Sequence, residues 1–401
     1  MTKVARLRTV NALPATHENR QMVLLQDPLG IASKSVLIPP EVTPLLMLCD
    51  GTRSVEQIQS DLATKYGFIV QLDEIQAWLQ LLNDAALLEN DDFRVQKEKV
   101  LKAYRENASR HMTLADDIYP AESEALSAAL EPYLTLASPA LNGEFFAGMI
   151  CPHIDYFRGW RVYAEVMSRA RESIKEAEFI IVLGTDHFDD GNPLSLTQQS
   201  YKTPYGVLPT PKQLVSSLQR ELPEIDMFAG ELRHRFEHSI ELALVWLHHM
   251  RDGASCDVLP ILCGAHDLFF EEDGNAEQLW VSTFITKLKD MIQGKKALIV
   301  AAADLAHVGL AFGGTAIAAE QRAQVALADE KLLQQVKDVD PQAFIDEINI
   351  VNDRYNVCGT TPIYLLLRLL APSTAQIVGY ELCPADSYET SWVSVCGALI
   401  D

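Results

Sequence analysis

Nowhere does this chain run to the roughly 20 consecutive apolar residues that a membrane-crossing helix needs, and its opening stretch, MTKVARLRTVNALP, lacks the apolar core of a secretory signal. Basic residues are scarce: 33 Lys and Arg stand against 55 Asp and Glu, a formal net charge of -22. That balance, with no basic cluster longer than a few residues, argues against nucleic acid or an anionic membrane as partner and fits a cationic docking partner or plain solubility. The 7 cysteines are odd in number, scattered through apolar runs and never spaced CxxC. They read as reduced thiols, not a disulfide framework, and the expected compartment is the cytoplasm. HExxH is missing, which disfavours a zincin peptidase. Internal repeats and low-complexity tracts are missing too.

What is present is apolar bulk. Hydrophobic residues make up 48% of 401 positions, enough for a sizeable core and, at this length, for a small domain followed by a large one. Residues 1–95 have a texture of their own. Short strand-like stretches (Met22 to Gln26, Ser35 to Ile38) precede a helix from Pro40 to Cys49. Ser54-Val55-Glu56-Gln57 has capping-box spacing for a second helix that Gly67 stops, and Asp73 is expected to cap a third, with Ile75, Leu79 and Leu82 on one face. Leu87-Leu88 and the acidic run after it suggest a strand pair, which would complete a winged-helix domain. DNA recognition is a poor reading of that domain, because the helix Asp73 to Leu82 carries no Lys or Arg. Residues 96–115 read as a helical linker, and 116–401 as the large domain.

In the large domain, apolar runs alternate with helical patterns, which predicts an α/β fold with a mostly parallel central sheet and helices on both faces. Phe179 to Leu183 runs into Gly184 and then His187; Phe145 to Cys151 gives way to His153; Ala297 to Ala303 to Asp304 and His307; Cys256 to Cys263 to His266. Reactive groups of open α/β sheets gather beyond the carboxyl ends of the strands. Imidazoles placed there can converge although far apart in sequence. A single His at a strand end is more often a hydrogen-bonded structural residue, but the repetition makes His153 and His187 a candidate metal pair.

Asp304 and His307 lie three apart in ADLAHVG, and if the chain turns helical there the carboxylate would orient the imidazole; the bland alternative is a helix-capping Asp beside a surface His. Glu237 and His238 open an apolar helix whose buried stripe is Ile240, Leu244 and Leu247, so His238 can point into the cleft, whereas His248 and His249 are expected to face solvent. Cys358 precedes the helix Ile363 to Leu370, where the helix dipole favours its thiolate as nucleophile or soft ligand, although Cys is commonly just a small buried hydrophobe.

CPHIDYFRG, VLGTDHF, YKTPYGVLP, EHSIELALVWL, VLPILCG, ADLAHVG and VCGTTP occur in the order and approximate spacing of the Memo family, which includes the "AmmeMemoRadiSam system protein B" proteins. The resemblance covers roughly Asp116 to Asp401. It implies a fold like that of class III extradiol dioxygenases. By the same carry-over, His153, His187 and Cys358 fall on metal-ligand positions, Asp304 and His307 on an assisting Asp and an acid/base His, and Glu237 and His238 on a cleft motif. A non-heme metal ion is implied, Fe(II) first, with Cu or Zn admitted by the thiolate. The chain departs from the family in carrying Asp155 and Asp186 near the site, two carboxylates able to ligate metal or repel an anion. Separately, DGTRSVEQI followed by ALLEND resembles small PqqD-like domains that hold precursor peptides.

Three functions follow as expectations. The first is metal-dependent redox or dioxygen chemistry on a small molecule or peptide, with radical-SAM and AMMECR-type proteins as partners in a modification pathway. The second is a non-catalytic peptide- or protein-binding scaffold. The third is a hydrolase with Cys358 as nucleophile and His307 as base.

Overall fold

A computed structural model describes residues 2–32, 34–141, 145–188, 191–271 and 276–401. The chain forms two compact units, Met1–Asn107 and Ala108–Asp401.

In the first unit, strands Asn11–His17 (β1) and Arg20–Gln26 (β2) are joined by Glu18 and Asn19, both at positive φ as a type I′ hairpin turn requires. Val36–Ile38 (β3) completes an antiparallel sheet in the order β1-β2-β3. Helices Thr43–Leu48 (α1), Val55–Tyr66 (α2), Leu72–Asp84 (α3) and Asp91–Glu106 (α4) follow. The capping box of α2 forms: Gln57 N donates to Ser54 Oγ, Ser54 N donates to Gln57 Oε1 at 2.8 Å, and Gly67 ends the helix at φ 65°. Two expectations are corrected. Asp73 is not the cap of α3; it sits in the first turn, after Gln71. The strand pair after Leu87 does not form, since Leu88 makes one isolated bridge to Leu7 and Asn90 caps α4. The hairpin that a winged helix needs after its third helix is therefore absent among the described residues, and a sheet precedes the helices instead.

The second unit runs Ser123–Leu136 (α5), Gly148–Cys151 (β4), Tyr156–Arg169 (α6), Arg171–Glu176 (α7), Phe179–Thr185 (β5), Leu194–Leu196 (β6), Tyr201–Thr203 (β7), Gly206–Leu208 (β8), Lys212–Glu221 (α8), Ser239–Met250 (α9) and Asp257–Cys263 (β9). Then come Leu279–Ile292 (α10), Ala297–Ala302 (β10), Asp304–Gly309 (β11), Ala319–Lys337 (α11), Pro341–Ile350 (α12), Thr360–Leu370 (α13), Ala375–Pro384 (β12) and Ser391–Ile400 (β13). The sheet order is β11-β13-β4-β10-β5-β9-β6, with β12 on β13; β4, β10, β5 and β9 are mutually parallel, and the outer strands are antiparallel. This is the expected mostly parallel α/β sheet.

Strand alternation divides the core. Phe179, Ile181 and Leu183 of β5 pack with α10 and α13 on one face, while Ile180 and Val182 pack with α6 and α9 on the other. Both faces are covered, so the central strands read as unbroken apolar runs. The register pairs Ala302 with both Cys151 and Gly184, so β4, β10 and β5 end level with one another. No helix among the described residues is long and apolar enough to cross a membrane.

Helix α9 departs from the expected stripe: it is buried from Ser239 to His248. His248 is accordingly not solvent-facing but bonds Thr203 and the Gly253 carbonyl, and His249 bonds the Tyr205 hydroxyl. His234 lies fully buried between the Tyr201 hydroxyl and the Ser195 carbonyl, and burial holds its pKa down at about 3 from an ordinary 6.5. The folded state thus binds this proton later than the unfolded chain does. Its contribution to stability is complete above the unfolded value and is lost as pH falls toward 3. Denaturant titrations should show His234→Gln with a shallower loss of stability than the native chain between those two values.

Candidate metal centre

Each imidazole reaches the sheet edge through its own element. His153 follows the end of β4 by two residues, and His187 follows the end of β5 by two. His238 is the residue immediately before α9. Gly184 makes that last approach possible: a Cβ there would stand 2.4 Å from Ile240 Cγ1 and 2.7 Å from Ser239 Oγ. Gly184→Ala should therefore push the start of α9 off the sheet and cost about 1–3 kcal/mol, which a melting curve would register.

The candidate ligand atoms of His153, His187 and His238 all lie within 4.8 Å of one another. The His187 and His238 rings stack at 4.6 Å between centroids, and His153 meets both edge-on at 5.1 and 5.4 Å. Hydrogen bonds fix Nδ1 as a donor in two of the rings. His153 Nδ1 donates to the Ala302 carbonyl at 2.9 Å, which only a protonated Nδ1 can do. His187 Nδ1 donates to Glu237 Oε1 at 2.9 Å, and His238 Nδ1 lies 3.2 Å from the same oxygen. In His153 and His187, where Nδ1 donates, Nε2 is the nitrogen left for a ligand. A protein carbonyl or carboxylate behind each ring is the usual outer support of metal-binding histidine.

Glu237 is the hub. Fully buried, it also accepts the backbone N–H of His187, His238 and Ser239. Burial alone would raise its pKa, but the His187 ring above all, with His238 and these N–H groups, holds it well below the usual carboxylate range. For the rings the balance divides. Burial disfavours the cation in each, yet Glu237 and Cys358 carry His187 well above its ordinary value, and Asp304 and Cys358 bring His153 to about 9. Burial prevails at His238, which falls to about 4.

Cys358 lies two residues before α13, with its Sγ 3.3 Å from His153 Nε2. Two ligands sharing one ion, with metal–nitrogen near 2.0 Å and metal–sulfur near 2.3 Å, stand about 3–3.6 Å apart. The pair fits a common ion. Burial works against the thiolate, but the His307 and His153 rings outweigh it and hold the thiol well below its ordinary pKa. Gly359 permits the approach, since a Cβ there would meet the Asp304 carbonyl oxygen at 2.3 Å. The group whose ligand atoms mutually approach holds the three imidazoles and not Cys358, which stands beside His153; imidazoles with a thiolate alongside suit a transition metal and not Ca²⁺ or Mg²⁺.

ADLAH is not helical: it is strand β11, antiparallel to β13, with a bulge between Asp304 and His307. Nor does Asp304 orient His307. Its Oδ1 accepts the His153 backbone N–H at 2.9 Å and its Oδ2 lies 3.7 Å from His153 Nε2, whereas His307 Nδ1 donates to the Leu305 carbonyl at 3.0 Å. The same cleft, of about 710 Å³, is lined by Asp304, His307 and His266 as well as the three clustered imidazoles and Cys358. Its walls include Ile118, Ile154, Leu242 and Phe312.

The two departing carboxylates are not available as ligands. Asp155 caps α6 and pairs with Arg158. Asp186 is buried against Arg233 at 2.5 Å. Sequence reasoning placed His238 in the cleft without seeing it as a third ligand, and the clue available was its place directly after Glu237 at a helix start.

A mostly parallel sheet with imidazoles and a thiol gathered at its carboxyl edge defines an α/β protein with a candidate mononuclear metal centre. The chain belongs to the Memo family, whose sequence model, described as "Memo-like protein", matches residues 110–399. Among similar proteins is a "MEMO1 family protein" of Aquifex aeolicus, 28% identical over 295 residues, covering 72% of this chain and 73% of the relative. Another from Thermus thermophilus is 26% identical over 331 residues, covering 82% and 94%. A third, from Methanosarcina barkeri, is 26% identical over 276 residues, covering 68% and 92%.

Proposed function

We propose that the chain is a metal-dependent oxidoreductase with one non-heme ion, Fe(II) first and Cu or Zn as the other fits, held by His153, His187 and His238 with Cys358 beside them. The observation that supports this most is the mutual approach of one ring nitrogen from each of three imidazoles, with an acceptor on Nδ1 of His153 and of His187. Iron or copper, when bound, would supply activation of dioxygen for oxidation of an organic substrate, whereas zinc would supply Lewis acidity alone. The chain's own residues do the rest. Glu237 holds two rings in place, Asp304 fixes His153, and His307, tied through Nδ1 to Leu305 and bonded to Cys358, is the group to move a proton at the substrate once its bond to Cys358 is released. The apolar walls take the substrate's carbon skeleton, whether a small molecule or a peptide side chain.

Work beside radical-SAM and AMMECR-type proteins in a modification pathway belongs to the same proposal and rests on the family resemblance, as does precursor-peptide binding by the N-terminal unit. Elemental analysis of protein purified without oxygen tests the core of it: about one ion per chain is expected, and much less in His187→Ala. Equal metal in both would end the reading and leave a scaffold that uses its cleft for binding alone.

A further inference from the structure

We infer that Ser394 and Asp329, neither of them among the residues lining the cleft, are positioning residues that keep His307 turned toward the metal centre by pinning the bulge of β11. The inference rests on the proposed role of His307.

Asp304 pairs with Val395 and His307 with Val393, so three steps along β11 match two along β13. Val393 and Val395 share one face of β13, and Val393 lines the cleft. One extra residue in β11 therefore brings both Asp304 and His307 to that face. In a regular strand residues three apart point to opposite faces, and His307 would turn away from the cleft.

The residue of β13 opposite the extra one is Ser394, and it is fully buried. Alternation sends its side chain to the face away from Val393. There Ser394 Oγ accepts the N–H of Ala306, inside the bulge, at 2.8 Å. A side chain has taken the place of a ladder partner. The hydroxyl is in turn hydrogen-bonded to Asp329 of α11, which is 1% exposed and accepts the Tyr380 hydroxyl at 2.8 Å. Ala306 and Val308 pack on Val325 of the same helix, so α11 holds the back of the bulge through both apolar and polar contact. A carboxylate at this depth is costly unless it is bonded, and its bonds lead to the one hydroxyl that fixes the bulge.

The test uses the full chain, metal-free, labelled with ¹⁵N-histidine and observed by NMR at one pH, with His307→Ala assigning the His307 signal. Ser394→Ala should shift the His307 ring resonance, and Ser394→Thr, which keeps the hydroxyl, should return it. The His187 and His238 resonances, tied to Glu237, should stay in place. If Ser394→Ala does not fold, Asp329→Asn carries the test and should shift the same signal. A His307 resonance unmoved by either variant, or a Thr variant no nearer the native position than Ala, overturns the inference. A separate zinc titration of the native chain decides the metal reading, so the two can fail independently.

Discussion

Replacing Glu237 by glutamine should lower metal affinity by about 10–100-fold while the protein stays folded. The carboxylate accepts three backbone N–H groups and faces two imidazole Nδ1 atoms. An amide fills the same space but carries no charge, and its NH2 in place of Oε2 would face the His187 backbone N–H that Oε2 now accepts, so the support of both rings weakens. The loss should exceed that from Asp304→Asn, because Asp304 supports one ring and Glu237 two. Competition against a chromophoric chelator, with a melting curve as control, reads it. Unchanged affinity would show that the rings are oriented without Glu237.

The second large effect concerns stability. Arg233→Met should destabilise the second unit by about 3–5 kcal/mol, because it strands the Asp186 carboxylate in a site where both side chains are 1% exposed. Burial already raises Asp186 to about 6 in spite of Arg233, and Glu237 adds to that repulsion. The double variant Asp186→Asn with Arg233→Met should recover most of the loss, since it removes the stranded charge. Denaturant melts of the single and double variants measure this directly. Equal destabilisation in both would mean that packing around Arg233, and not the charge, is what matters.

The parallel sheet was legible in the sequence because strands covered on both faces have to be apolar throughout. Phe179 to Leu183 and Ala297 to Ala303 could be little else, and the polar break after each gave the edge at which His153, His187 and Cys358 meet. Local reasoning failed where a distant partner sets the geometry. The i, i+3 spacing of Asp304 and His307 fits one side of a helix, yet these residues form a strand whose bulge is set against Ser394 of β13. His238 looked like a cleft residue, since its contact with the other two rings depends on Gly184 letting α9 close on β5. In the N-terminal unit, Leu87-Leu88 looked like the start of a hairpin, but Leu88 bridges back to Leu7 near the chain's beginning.

The central claim is that one ion sits among one ring nitrogen each of His153, His187 and His238 beside the Cys358 sulfur. X-ray absorption on protein loaded with a single equivalent of Zn²⁺ tests it most directly. The account predicts a shell of imidazole nitrogens near about 2.0 Å and one sulfur near about 2.3 Å, with nitrogen lost in His238→Ala and sulfur lost in Cys358→Ser. A shell of oxygens alone, or a spectrum that neither variant changes, would contradict it.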